Sequence, residues 1–116
     1  MSTAFGPYTP VVRAGDHVFV SGQVGASDGA IVEGGVADQT AQAVANLAAR
    51  LAEEGASLAD VVKTTCFLVD MDAYATFNAA YMAAFGAYRP ARSCVAVREL
   101  PVGAAVEIEA IAYSPA

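Results

Sequence analysis

The chain has 116 residues, which bounds it to a single domain spanning 1-116, and 56% of it is hydrophobic. Twelve acidic side chains outnumber six basic ones, for a formal net charge of -6, so phosphate backbones and anionic lipid heads are repelled and neither nucleic acid nor membrane is an expected partner. No bilayer-length apolar stretch, signal-peptide pattern or Cys/His metal cluster is visible, and Cys66 and Cys94 fit reduced thiols, so a cytoplasmic location without metal is expected.

Taken in chain order, Phe5 to Pro10 holds two prolines and predicts an extended, irregular arm. Val11 to Arg13 predicts a short strand, Ala14-Gly15-Asp16 a turn, and His17 to Gln23, β-branched and aromatic, a longer strand. Ser27-Asp28-Gly29 reads as a turn before a short strand at Ala30-Ile31-Val32. Val36, Thr40, Val44, Leu47 and Leu51 then recur at helical spacing, which predicts a helix from Val36 to Glu54 with Gly55 as a left-handed cap. Ser57 to Asp60 has the form of a capping box. Val61 to Val69 predicts a strand with Val62, Thr64, Cys66 and Leu68 on one face. Met71, Tyr74, Asn78, Tyr81 and Phe85 form a second helical stripe ending at Gly86. Ala91 to Arg98 and Ala105 to Tyr113 predict two last strands around a Leu100-Pro101 turn. This order implies an α+β fold, two helices packed on one face of a mixed sheet. The apolar surplus for so small a domain points to a subunit interface.

The polar residues of the last two strands carry the chemical signal. An antiparallel hairpin centred on Leu100-Pro101 would set Cys94 opposite Glu107 and Arg92 opposite Glu109 on one side of the sheet, with Val95, Val97, Val106 and Ile108 facing the helices. Arg92 then reads either as a cross-strand ion pair or as a two-pronged grip for a substrate carboxylate, with Glu107 managing a water. Ser21-Gly22-Gln23 is either a glycine bulge or a set of donors brought close to a ligand. Tyr8 either anchors the N-terminal arm or closes a pocket. Cys94 reads as a small buried thiol rather than a nucleophile, since the one histidine, His17, lies on another strand.

Gly6-Pro7-Tyr8, the strand ending in Ser21-Gly22-Gln23, Gln39-Thr40 with Asn46-Leu47, Asp60 to Thr65, Phe77 to Tyr81, Pro90-Ala91-Arg92-Ser93-Cys94-Val95, and Leu100-Pro101 with Val106 to Ala110 follow one another over nearly the whole chain. In this order they resemble the RidA (YjgF) family. The resemblance implies a chorismate-mutase-like fold and a homotrimer with ligand sites in the clefts between subunits. It implies a hydrolytic deaminase that turns reactive 2-imino and 2-enamino acids into 2-oxo acids and ammonia, with no cofactor. The family's carboxylate-binding arginine falls on Arg92 and its water-positioning glutamate on Glu107. Its tyrosine, serine and pocket cysteine fall on Tyr8, Ser21 and Cys94, and Gly22 and Asn78 fall near the ligand. Thr9-Pro10 and a short loop at Asp28 depart from the family pattern at the pocket mouth, where substrate range is set. The same Arg92 pocket would also serve a non-catalytic protein that senses a small carboxylate. A ribonuclease activity, attributed to relatives, is opposed by the acidic charge.

Overall fold

A computed structural model of the chain describes residues 5–116. Strands β1 (Val11–Ala14) and β2 (His17–Val24) form a hairpin in which Val12 pairs with Phe19. A two-stranded ribbon follows, β3 (Ala26–Ser27) against β4 (Ala30–Ile31), turned at Asp28-Gly29. Helix α1 (Gly35–Glu53) lies one residue N-terminal of its predicted span, and Gly55 takes the left-handed φ of 74° expected of its cap. Strand β5 (Val61–Leu68) leads to a 3-10 turn at Met71–Ala73, where Asp70 accepts the Asp72 N–H at 2.9 Å. Helix α2 (Tyr74–Phe85), β6 (Ala91–Ala96) and β7 (Val106–Tyr113) complete the chain.

The main sheet runs β1-β2-β7-β5-β6, and the core lies between it and the two helices. The mixed α+β architecture is the one expected. Val44, Leu47 and Leu51 of α1 and Phe77, Tyr81 and Phe85 of α2 bury one stripe each against Val18, Val20, Val106, Ile108, Ala110 and Ala112. Each large side chain taken fully from water contributes roughly 1.5–3 kcal/mol.

The final hairpin does not form. β6 pairs with β5, in parallel, and β7 pairs antiparallel with β5 on its other side and with β2. Thr64, Cys66 and Leu68 of β5 are fully buried, whereas β6 has no buried residue. The more apolar strand therefore takes the interior of the sheet, and β6 takes the edge. The helical crossover through α2 returns the chain parallel to β5, and residues 97–105 carry it past β5 to β7.

Two smaller corrections concern single side chains. Val62 was expected to share a face with Thr64, Cys66 and Leu68, which are buried, but it is exposed, because a register shift between Val61 and Lys63 lets Val61 face the core instead. Val95 was expected to face the helices but is exposed, because in parallel register it pairs with Phe67 while Cys94 pairs with buried Cys66. No helix among the described residues is long and apolar enough to cross a membrane.

The sheet face away from the helices is bare. Val12, Phe19, Val95 and Tyr113 expose between 45% and 48% of their surface. Beside them, Phe67 and Ile111 are half-buried.

Val102, in the turn at Pro101–Gly103, has a left-handed backbone (φ 54°, ψ 28°) that a β-branched residue adopts only under strain. Val102→Asn, whose short polar side chain tolerates that region, is expected to stabilise the fold by about 1 kcal/mol, read as a raised thermal midpoint.

Candidate functional site

Arg92 stands on the helix side of edge strand β6, beside Thr64 of β5. Its guanidinium lies over three rings of α2, with the Cζ atom 5.0 Å from the Tyr81 centroid, 5.5 Å from Phe77 and 5.6 Å from Tyr74. Nη2 also donates to the Tyr74 hydroxyl at 3.0 Å. Cation–π attraction of this kind contributes roughly 0.5–2 kcal/mol. Beneath the guanidinium, the Tyr81 and Thr64 hydroxyls share a buried 2.7 Å hydrogen bond that ties α2 to β5. Among the described residues the ion pairs are Arg13–Glu54, Arg50–Glu53 and Arg98–Glu99, so Arg92 has no carboxylate partner. A guanidinium anchored by rings and not neutralised is suited to an incoming acid group.

Cys94 follows on the same face of β6, packed against the core, and Asn78 stands on α2, next in sequence to Phe77. Asn78 Oδ1 is buried without a hydrogen-bond partner among the described residues. Cys66 and Cys94 are neighbours across β5 and β6, and both are free thiols. Burial pushes the Cys66 thiol up to about 12 and raises that of Cys94, so neither has the character of a nucleophile.

Glu107 lies on the opposite face. It pairs with Phe67 of β5 and Val24 of β2, while its neighbours Val106 and Ile108 point into the core. The expected cross-strand pairs Arg92–Glu109 and Cys94–Glu107 are therefore absent, and β5 and the thickness of the sheet separate Arg92 from Glu107 within one chain. The reason is the strand order: paired residues share a face, so Arg92 follows Thr64 inward while Glu107 follows Phe67 outward.

Against Glu107 lies a β-bulge. Val20 pairs with Ala110 and Gln23 with Ile108, so Ser21 and Gly22 together face Glu109. A Cβ on Gly22 would come within 2.7 Å of Glu107 Cδ, so the carboxylate rests directly on the glycine backbone. The glycine-bulge reading of Ser21-Gly22 is the one seen, and the close approach it permits is to Glu107. Ser21 donates its hydroxyl to the Thr9 carbonyl at 2.8 Å, which holds the N-terminal arm to β2. Tyr8 is exposed, its hydroxyl accepting the Phe5 N–H at 3.3 Å, and it lines with Gly22, Asn46 and Arg50 a cavity of about 530 Å³. Neither Arg92 nor Glu107 lines that cavity.

The site therefore comes in two halves. Arg92, Asn78 and Cys94 stand on the helix side of one edge; Glu107 and the Ser21-Gly22 bulge stand on the bare side, with Tyr8 close by. The aromatic bed of Tyr74, Phe77 and Tyr81 was missed in the sequence. Its signal was aromatic side chains at positions 74, 77 and 81, three and four apart on one helix, facing a strand that carries an arginine. No group of three or more potential metal ligands occurs among the described residues.

Residues 1–114 match the family model described as Endoribonuclease L-PSP. The chain belongs to the YjgF/RidA family. A RutC family protein of Pyrococcus horikoshii is 44% identical over 110 residues, covering 93% of this chain and 87% of the relative. The mouse protein named 2-iminobutanoate/2-iminopropanoate deaminase is 43% identical over 111 residues, covering 94% and 82%. Among solved structures, RidA from an Antarctic Psychrobacter superposes with a TM-score of 0.91 at 37% identity, covering 96% of this chain and 91% of that one. TdcF of E. coli, solved with bound serine, superposes with a TM-score of 0.87 at 38% identity, covering 95% and 90%. YjgF/RidA relatives thus carry deaminase, RutC and endoribonuclease names on one fold.

Burial, and then the neighbouring Glu109, raises the Glu107 carboxyl above its ordinary 4.5. A carboxyl with a raised folded pKa contributes its full stability when protonated, below 4.5, and loses it as pH rises through the folded value. Glu107→Gln is therefore expected to melt higher than wild type at pH 7.5. The gap should close below the ordinary carboxylate range, as read by thermal unfolding across pH.

Proposed function

We propose that this protein hydrolyses 2-imino and 2-enamino acids to 2-oxo acids and ammonia, at sites completed between copies of the chain. The observation that carries the reading is Arg92, a guanidinium bedded on three rings with no carboxylate of its own. Mammalian relatives named 2-iminobutanoate/2-iminopropanoate deaminase, 40% to 43% identical to this chain, support it.

Arg92 binds the substrate carboxylate through two parallel N–H donors. Glu107, supplied by a second copy, takes a proton from water as the hydroxide adds to the C=N carbon, and passes that proton to the imine nitrogen to give a carbinolamine. The carbinolamine's hydroxyl proton then passes through Glu107 to the amine nitrogen as the C–N bond breaks and the C=O forms, which releases ammonia and restores the carboxylate. An enamine enters the same route after protonation to the imine. Burial raises the Glu107 pKa, which makes its carboxylate a stronger base toward water than an ordinary one. Holding acid group and water in one cleft supplies much of the rate by orientation.

The second copy is needed because Arg92 and Glu107 occupy opposite faces of one sheet. The bare face, with Val12, Phe19 and Val95 exposed, is an apolar surface for it to cover. A trimer is the assembly proposed. Light scattering is expected to give three times the 11.8 kDa chain mass, and Phe19→Asp with Val95→Asp should shift it toward monomer. A wild-type protein that stays monomeric at micromolar concentration contradicts the shared site.

Turnover is tested with 2-iminobutanoate generated in place by a dehydratase. Arg92→Ala is expected to abolish the acceleration of 2-oxobutanoate and ammonia release. Glu107→Gln should still bind 2-oxobutanoate but lose about 10²–10⁴ in rate. Binding without turnover in wild type would favour a carboxylate sensor instead.

A further inference from the structure

We propose that Tyr74 is a positioning residue that sets the rotation of the Arg92 guanidinium and leaves it one complete two-pronged edge for the substrate carboxylate. The proposal deepens the reading of Arg92 as the carboxylate grip and rests on it. A guanidinium offers a carboxylate two bidentate edges, Nε with Nη2 or Nη1 with Nη2. Each edge uses a different proton of Nη2. The 3.0 Å bond to the Tyr74 hydroxyl commits one of those protons, so one edge is broken and the other is intact.

The three rings hold the position of the guanidinium but not its orientation. A ring face attracts a cation without regard to rotation about the Cζ axis. The Tyr74 hydroxyl is directional and is the one hydrogen-bond partner of Arg92 among the described residues. Tyr74 stands at the first residue of α2 and directly after the 3-10 turn capped by Asp70, so its backbone is fixed by a helix start on one side and a capped turn on the other. Tyr74 is 41% exposed, and its ring lies at the accessible side of the bed, while Phe77 and Tyr81 are buried beneath. Phe77 and Tyr81 therefore support Arg92 from the core, and Tyr74 turns it toward the ligand. Positioning of this kind changes how well a planar acid group is held more than how fast the bound substrate reacts.

The test is Tyr74→Phe in the full-length protein, which keeps the ring and removes the hydroxyl. Loss of one hydrogen bond to a charged group is expected to raise both Kd for 2-oxobutanoate and KM for 2-iminobutanoate by about 5- to 10-fold, with kcat within about twofold. Nitrogen-15 spectra of the Arg92 side chain give a readout that needs no substrate. Separate Nη resonances in wild type should merge in Tyr74→Phe as the guanidinium rotates freely. Unchanged Kd, KM and Nη exchange in Tyr74→Phe would overturn the proposal. A wild-type protein that neither binds 2-oxobutanoate nor turns over the imine would overturn the functional reading instead, and the Nη exchange would still decide whether Tyr74 orients Arg92.

Discussion

β5 lies between β6 and β7, joined to the first by parallel hydrogen bonds and to the second by antiparallel ones. That insertion puts the most deeply buried strand in the interior of the sheet and leaves β6 at the rim. It also decides where the two ionisable groups of the proposed site lie. Thr64 pulls Arg92 to the helix side, and Phe67 pulls Glu107 to the bare side, because neighbours across a sheet share a face. A single copy of the chain therefore cannot bring guanidinium and carboxylate to one ligand.

Each half is electrostatically incomplete. Arg92 rests on ring faces rather than on an anion, and Glu107 holds its proton more tightly than an ordinary carboxyl because it is half-buried beside Glu109. Asn78 adds a buried acceptor to which no described residue donates. In the proposed reading, a cleft shared between copies would answer these deficits with one small acid and one water. The same packing that hides the apolar sheet face would build that cleft, so assembly and chemistry become a single event in the proposed reading.

Much of this was legible in the residues. The helical stripe of Val44, Leu47 and Leu51, the cap at Gly55 and the turn at Asp28-Gly29 are local signals, and the fold honours them. Pairing between strands is not local. Leu100-Pro101 invited a hairpin because sequence adjacency favours it, and only the competition among β5, β6 and β7 for the buried position decides otherwise. Val62 failed for a related reason, since a bulge shifts the alternation without leaving a mark in composition. The resemblance to RidA found Arg92 and Glu107 as residues, but their separation by the sheet follows from topology alone. The bed of Tyr74, Phe77 and Tyr81 was hidden because aromatic residues on a helix read first as core.

The bulge at Ser21-Gly22 changes the phase of β2. Before it, Val18 and Val20 point inward; after it, Gln23 takes the inward place, so the two halves of one strand count alternation from different origins. Were both residues paired regularly, the second half would turn over and present Val24 to the core; removing one instead keeps Gln23 inward and straightens the strand, which removes the extra residue packed against the carboxylate at 107. This short stretch is thus a reading-frame mark for the sheet. The extra residue is what lets an odd-numbered side chain, Gln23, follow Val18 and Val20 inward.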